Sequence, residues 1–139
     1  VCSSDLAGFG GNEYTSEAAQ RLLNEAARYL GTPYVWGGYS PSGFDCSGFV
    51  SYCLTNSGVR NTGRLTAQGL YDICTPVSQS EAQPGDLIFF TGTYDAGVPV
   101  THIGIYVGNG QMIHCGHPVQ YTSINSPYWQ SHFYGFGRW

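Results

Sequence analysis

The first regular pattern of apolar positions along the chain has the period of an α-helix. After a candidate cap at Thr15 or Ser16, apolar residues return every three or four positions, and Gly31 and Pro33 follow the last of them. These positions are Ala19, Leu22, Leu23, Ala26, Ala27 and Leu30. Such spacing places the residues on one side of a helix, and Ser or Thr before it and Gly after it are typical ends. The pattern predicts a packing helix from the cap to about Leu30.

A second helical stripe begins at Cys46. Its members follow at i+3, i+4, i+7 and i+8, and the dipeptide Ser57-Gly58 supplies a stop. They are Cys46, Phe49, Val50, Cys53 and Leu54. The pattern therefore places Cys46 in the first turn of a helix and Cys53 in its buried middle. A third, shorter helix is predicted from a cap at Thr66 through Cys74.

The second half of the chain changes to the period of strands. Leu87 to Phe90 is a short apolar run after a turn, and Thr101 to Val107 alternates, with Ile103, Ile105 and Val107 on one face and His102 on the other. Gln111 to Cys115 reads as a returning strand and Phe133 to Trp139 as a closing one. Helices followed by a meander of strands predict an α+β fold.

The turn Gly108-Asn109-Gly110 decides which histidine faces His102. A two-residue turn would set His102 opposite His117, whereas a three-residue loop with a left-handed Gly110 sets His114 on the face of His102 as its diagonal neighbour. The second register also keeps Ile113 and Cys115 with the core isoleucines and places Met112 opposite Tyr106. We therefore predict the three-residue register and a His102–His114 pair.

Cys46 is the candidate nucleophile of the chain. Unpaired N–H groups and the helix dipole favour a thiolate at a helix N-terminus, and Ser47 and Gly48 add little bulk beside the sulfur. The first-turn N–H groups are also candidate donors to an oxyanion. A lone cysteine on an apolar helix face is usually core, as Cys53 is expected to be. His102 supplies the base that a cysteine nucleophile needs.

Composition limits the classes of partner. The 139 residues form one domain with a single core, and 1–13 read as a linker or a remnant of cloning ahead of 14–139. A net charge of −4, with five scattered arginines and no lysine, argues against nucleic acid or an anionic membrane surface. Five cysteines leave the compartment open, and no apolar run is long enough to span a bilayer. The start of the chain lacks the basic and apolar regions of a signal peptide.

Four blocks of sequence make the prediction of fold and function more specific. They are Gly31-Thr32-Pro33-Tyr34-Val35-Trp36-Gly37-Gly38, Phe44-Asp45-Cys46-Ser47-Gly48-Phe49-Val50, Gln83-Pro84-Gly85-Asp86-Leu87-Ile88-Phe89-Phe90 and Thr101-His102-Ile103-Gly104-Ile105-Tyr106-Val107-Gly108. In this order they resemble the NlpC/P60 family of cell-wall cysteine peptidases, over about Ala26 to Trp139. The resemblance implies a papain-like fold, in which N-terminal helices, among them the cysteine helix, pack on a central antiparallel β-sheet.

The resemblance also implies an activity and roles for single residues. It implies a peptidoglycan hydrolase that cleaves the bond between the side-chain carboxyl of D-glutamate and the diamino acid of stem peptides, outside the cytoplasm, without a cofactor or metal. Cys46 is then the nucleophile, His102 the base and His114 the orienting residue. Tyr34 lies in the active site, and Asp45 and Ser47 flank the substrate, with Asp45 meeting a cationic amino group. The domain is expected to be a monomer or one part of a larger multidomain chain.

Three other readings stay open. A papain-like amidase or acyltransferase would keep the fold and change the bond, and a catalytically silent wall-binding module would keep the fold without turnover. A metal site of His102, His114, Cys115 and His117 is the third, although strand alternation divides these residues between two faces. The aromatic stretch before Cys46 favours a buried Trp36 and leaves Tyr34 either in a groove or in the core.

Overall fold

The computed structural model describes residues 15–139, so the predicted linker 1–13 lies outside the described residues. Helix α1 spans Ser16–Ala27, and the Thr15 hydroxyl accepts a hydrogen bond from the Ala18 N–H at 3.0 Å. The cap is as predicted, but the helix ends three residues before Leu30. Leu30 is 45% exposed and does not belong to the buried stripe. The helical spacing of apolar residues in the sequence extends one turn beyond the end of α1, which is why the predicted end was too late.

The next two helices agree with the sequence. Helix α2 spans Cys46–Ser57 with Asp45 as its N-cap, and Gly58 ends it in the left-handed region at φ 80°, a conformation that glycine adopts without penalty. Helix α3 spans Ala67–Ile73 behind a Thr66 cap. Two short paired strands, β1 (Tyr39–Ser40) and β2 (Gly43–Phe44), lead into α2.

The remaining strands form one antiparallel sheet of six strands. They are β3 (Thr75–Val77), β4 (Leu87–Thr91), β5 (Val100–Gly108), β6 (Gln111–Cys115), β7 (Val119–Ser123) and β8 (Phe133–Arg138), with a 3₁₀ turn at Gln79–Glu81 and helix α4 at Pro127–His132. The order across the sheet is β3-β8-β4-β5-β6-β7. Strands β4, β5 and β6 form the predicted meander, β7 extends it by a strand that was not predicted, and the closing strand β8 inserts between β3 and β4. The α+β class is confirmed.

The β5–β6 hairpin has the predicted register. Tyr106 lies opposite Met112 and Ile105 opposite Ile113. The loop that sets this register differs from the predicted three-residue loop. Gly108 still pairs with Gln111, and the register shifts between Tyr106 and Gly108. The chain thus makes a tight turn at Asn109-Gly110, both with positive φ, and a bulge just before it.

The sheet is covered on both faces. Successive apolar residues of strands β4 and β6 belong alternately to one and the other of two apolar clusters. Because neighbouring side chains of a strand point to opposite faces, the two clusters lie on opposite faces of the sheet. The larger one joins α1, α2 and α3 to the sheet, and Leu22, Phe49, Leu54, Phe89 and Ile103 are fully buried in it. The smaller one contains Ile88, Phe90, Met112, Ile124 and Phe136, with Trp129 of α4 packed against it. Within residues 15–139, no helix has the length and apolarity needed to cross a membrane.

Candidate active site

The N-terminus of α2 is fixed by the residue that precedes it. The Asp45 carboxylate accepts a hydrogen bond from the Gly48 N–H at 2.7 Å, which caps the helix. The backbone N–H of Asp45 in turn donates to the Gly38 carbonyl at 3.1 Å. A side chain at position 48 would collide with this same carbonyl, so glycine is what allows the first turn to lie against the loop. Cys46 is thereby held at the start of the helix, as predicted.

Asp45 has four hydrogen-bond donors around its carboxylate. Besides the Gly48 N–H these are the Ser47 hydroxyl at 3.3 Å, the Gly37 N–H at 3.1 Å and the Arg64 guanidinium at 2.6 Å. Arg64 also donates to Ser47 at 3.0 Å. The family resemblance implied that Asp45 meets a cationic amino group of the substrate. In this structure Arg64 already supplies the positive charge, and a substrate ammonium group would have to displace it.

The Cys46 sulfur lies against the first residues of β5. Its thiol donates to the carbonyl oxygen of Thr101 at 3.8 Å, and in the described part of the chain this oxygen, not the imidazole of His102, is the thiol's acceptor. The β4–β5 register shifts here, with Phe90 opposite His102 and Thr91 opposite Val100, so Thr101 is an extra residue in β5. Such bulges bend a strand and re-aim its side chains. The bulge brings the residue that precedes His102 onto the sulfur.

Burial keeps the Cys46 side chain a thiol, whereas the sequence predicted a thiolate. Cys46 is only 8% exposed, and desolvation, together with the negative charge of Asp45, raises its pKa to about 11. Hydrogen bonds from the backbone of Ile103 and from Ser47 act in the opposite direction but do not prevail. The prediction of a resting thiolate is therefore wrong for this structure, because the helix N-terminus contributes less than the loss of water.

The two predicted histidines are joined directly. His102 Nε2 lies 2.9 Å from His114 Nδ1, as the diagonal neighbours of the predicted register require. His114 Nε2 in turn lies 2.8 Å from the hydroxyl of Thr122 on β7. His102 therefore keeps its Nδ1 for another partner, while both nitrogens of His114 are engaged. His117, the alternative of the other register, is exposed and makes an edge contact with Tyr34 instead.

Both imidazoles are neutral at pH 7. Burial, and to a smaller extent the charge of His114, lowers the pKa of His102 to about 3. Burial alone lowers the pKa of His114 to about 4. Neither a lone imidazolium nor a lone thiolate is favoured in this site. The two charges compensate each other when one proton passes from sulfur to imidazole, because the net charge of the pair stays zero.

Helix α4 covers the histidine pair. The Trp129 ring stacks on His102 with centroids 5.1 Å apart and meets His114 edge-on at 5.4 Å. The Ser126 hydroxyl caps this helix, and His132 Nδ1 ties its end to the Thr91 carbonyl at 2.7 Å. No role was predicted for this segment, although Ser126-Pro127 is a recognisable helix start.

A groove of about 540 Å³ opens on Cys46. Tyr34, Asp45 and Ser47 line it, as do Arg64, Trp36 and Tyr94. Burial is the main cause that raises the pKa of Tyr34 to about 12, so its hydroxyl stays protonated. Trp36 is 71% exposed and meets Tyr94 edge-on at 5.5 Å, so the prediction that it is buried is wrong. The structure thus places the three predicted substrate residues beside Cys46 and adds Arg64, Trp36 and Tyr94.

A metal site receives no support from the side chains. Within residues 15–139, no group of three or more His, Cys, Asp or Glu side chains is placed to hold a metal ion. Cys115 is fully buried and donates to the Phe44 carbonyl at 3.2 Å, so it belongs to the helix side of the sheet. The strand alternation that divided the candidate ligands is present in the fold.

Comparisons with known proteins find relatives over most of the chain. The chain is 44% identical over 121 residues to the bifunctional muramidase/DL-endopeptidase CwlT of Bacillus subtilis, covering 86% of this chain and 36% of that protein. It is 39% identical over 132 residues to the murein DD-endopeptidase MepH of Escherichia coli, covering 88% of this chain and 46% of that protein. The chain therefore spans less than half the length of either relative.

A solved structure matches over most of the chain as well. A lipoprotein-like NLP/P60 family protein of Staphylococcus aureus superposes with a TM-score of 0.84 at 42% identity, covering 91% of this chain and 42% of that one. The sequence model described as the NlpC/P60 family matches residues 31–138, which include α2, the whole six-stranded sheet and every residue of the site described above. The chain belongs to the NlpC/P60 family.

Proposed function

We propose that this domain is a cysteine endopeptidase of bacterial peptidoglycan that cleaves the bond between the side-chain carboxyl of D-glutamate and the diamino acid of stem peptides. The observation that carries the proposal is the arrangement around β5. A cysteine at a helix N-terminus touches the residue before His102, and His114 holds the far nitrogen of that histidine. This arrangement supports the assignment of Cys46 as nucleophile, His102 as base and His114 as orienting group. The name of CwlT, a DL-endopeptidase, supports the choice of bond.

The chemistry starts from the neutral pair. When substrate enters, the thiol hydrogen turns from the Thr101 carbonyl to His102 Nδ1, and the sulfur attacks the amide carbonyl as His102 accepts the proton. The imidazolium then gives this proton to the leaving amine, so that the C–N bond breaks and a thioester on Cys46 remains. His102 next takes a proton from water, which hydrolyses the thioester and restores the thiol.

The oxyanion forms beside the start of α2. The Gly48 N–H is occupied by Asp45 and the Ser47 N–H by the Cys46 sulfur, so we assign the Cys46 N–H as the donor of the first turn to a carbonyl that reacts with the sulfur. Tyr34 and Ser47 contact the substrate along the groove. We assign Asp45 to holding the helix start and Arg64 in place, and Arg64 to presenting a positive charge to substrate.

We also propose that the domain acts outside the cytoplasm, where peptidoglycan lies, and as one part of a longer protein. Both relatives described above extend well beyond the matched region. Their names, a muramidase/DL-endopeptidase and a murein endopeptidase, support a substrate in the cell wall.

A second candidate bond has a specific basis. MepH is named a DD-endopeptidase, which indicates a bond between two D-centres. A digest separates the two possibilities: peptidoglycans that carry meso-diaminopimelate or lysine are treated with the domain, and new termini are identified by mass spectrometry. We expect a free D-glutamate side-chain carboxyl and a free amine on the diamino acid. New termini at D-alanine instead would favour the second candidate, and release of intact stems from the sugar would indicate an amidase.

A further inference from the structure

A fourth polar residue extends the line of contacts behind Cys46. Thr122 lies on β7, where it pairs with Met112, and its hydroxyl is 2.8 Å from His114 Nε2. His114 is only 3% exposed, so the nitrogen that faces Thr122 has almost no access to water. The contact links the edge strand of the sheet to the proposed base through a single imidazole.

The two neutral imidazoles admit two arrangements of hydrogens. In the first, His102 donates from Nε2 to His114 Nδ1, and His114 carries its hydrogen on Nε2, facing Thr122. His102 Nδ1 is then a bare lone pair and can act as a base. In the second, His114 donates from Nδ1 to His102 Nε2, so that His102 carries its hydrogen on Nδ1 and cannot accept a proton there. Only the first arrangement is competent for the proposed chemistry.

Formation of the imidazolium makes the requirement stricter. Once His102 has taken the thiol proton, both of its nitrogens carry hydrogen, so His114 Nδ1 must accept and His114 Nε2 must donate. The hydroxyl of Thr122 is the acceptor at the correct distance. Without it a buried N–H would lose its partner, which is less well tolerated than an unpaired acceptor. A methyl group in its place would therefore favour the inactive arrangement.

We propose that Thr122 is a positioning residue whose hydroxyl accepts from the His114 Nε2–H and thereby supports the tautomer of His114 that leaves His102 Nδ1 as the basic nitrogen. This inference rests on the proposed function of Cys46 and His102. The hydroxyl oxygen is the part of Thr122 that matters. Its methyl group is dispensable, so serine should replace threonine and valine should not.

The test combines kinetics with a measurement that needs no substrate. Thr122→Val, Thr122→Ser and a control, Thr75→Val, at an exposed position of the opposite edge strand β3, are compared on a defined muropeptide. We expect Thr122→Val to lower kcat about tenfold or more, which corresponds to about 1.4 kcal/mol, with KM little changed. Thr122→Ser and Thr75→Val should stay within about threefold of wild type.

The second measurement is ¹⁵N NMR of labelled histidines in the same proteins at pH 7. In wild type and Thr122→Ser we expect the hydrogen of His114 on Nε2, and in Thr122→Val on Nδ1. Unchanged tautomers in Thr122→Val, or equal kinetic losses in the valine and serine variants, would overturn the proposal. If wild type cleaves no muropeptide, the proposed function fails while the NMR result still decides the role of Thr122. Thermal unfolding of each variant identifies a folding defect, and in that event Thr122→Ser and wild type carry the tautomer test.

Discussion

Acidification should destabilise this fold through its two buried imidazoles. Burial lowers the pKa of His102 to about 3 and that of His114 to about 4, whereas a histidine in the unfolded chain titrates near 6.5. Below pH 6.5 the unfolded state therefore binds protons that the folded state refuses. The free energy of unfolding therefore decreases with each unit by which the pH falls, until the pH reaches the folded-state pKa values.

The expected loss follows from these values. Between pH 7 and pH 5 each imidazole costs about 2 kcal/mol of unfolding free energy, so the pair costs about 4 kcal/mol. Urea denaturation at the two pH values measures it. His114→Gln, which keeps hydrogen-bonding groups at that position, should reduce the loss to about half.

The matched control is His117→Gln, because His117 is exposed. We expect this variant to lose as much stability as wild type between pH 7 and pH 5. The reasoning would be refuted if wild type lost less than about 1 kcal/mol over this range, or if His114→Gln and His117→Gln changed the loss equally.

Three further predictions test the site. Because burial raises the pKa of Cys46 to about 11, alkylation of the protein by iodoacetamide in the absence of substrate should be slow at pH 7 and rise about tenfold per pH unit from 8 to 10. A flat profile would contradict this. Because the Arg64 guanidinium already forms an ion pair with Asp45, N-acetylating the amino terminus of a stem peptide should change kcat/KM by less than about threefold. Arg64→Ala should create a preference for the free amine. A strong preference for the free amine in wild type would show that the ion pair opens. His114→Ala should lower kcat about a hundredfold or more and His117→Ala less than about threefold, and equal losses in proteins of equal thermal stability would mean that His117 orients the base.

The positions of residues in strands with one buried face could be predicted from the sequence. The β5–β6 register followed from keeping Ile113 with Ile103 and Ile105, because a slip of one residue would expose the whole set. The same argument paired His102 with His114, and the structure has that pair. The start of α2 at Cys46, its stop at Gly58 and the Thr66 cap of α3 were also correct, since helix ends depend mainly on neighbours in the chain. The Asp45 cap of α2 was not predicted, and α3 ends at Ile73, one residue before the predicted Cys74.

Features that depend on distant parts of the chain were missed. Arg64 reaches Asp45 across 19 positions, and Trp129 of α4 packs on His102 of β5 from a later part of the chain. Nothing local in the sequence connects either pair. Strand β7, which carries Thr122, is short and only partly buried, so its alternation is weak. The state of Cys46 was mispredicted for the same reason: a helix N-terminus can be read from sequence, but the loss of water around the sulfur cannot.

The central claim is that Cys46 is a nucleophile that His102 activates, and a trapped intermediate tests it most directly. The protein is mixed with a defined muropeptide and quenched in acid within milliseconds to seconds, and the masses of the intact protein and of its proteolytic peptides are measured by mass spectrometry. We predict a transient mass increase equal to the glutamyl-terminated part of the stem, localised to the peptide that contains Cys46, and no such adduct in Cys46→Ser. Product formation without any adduct, or turnover that persists in Cys46→Ser at the wild-type rate, would contradict the account.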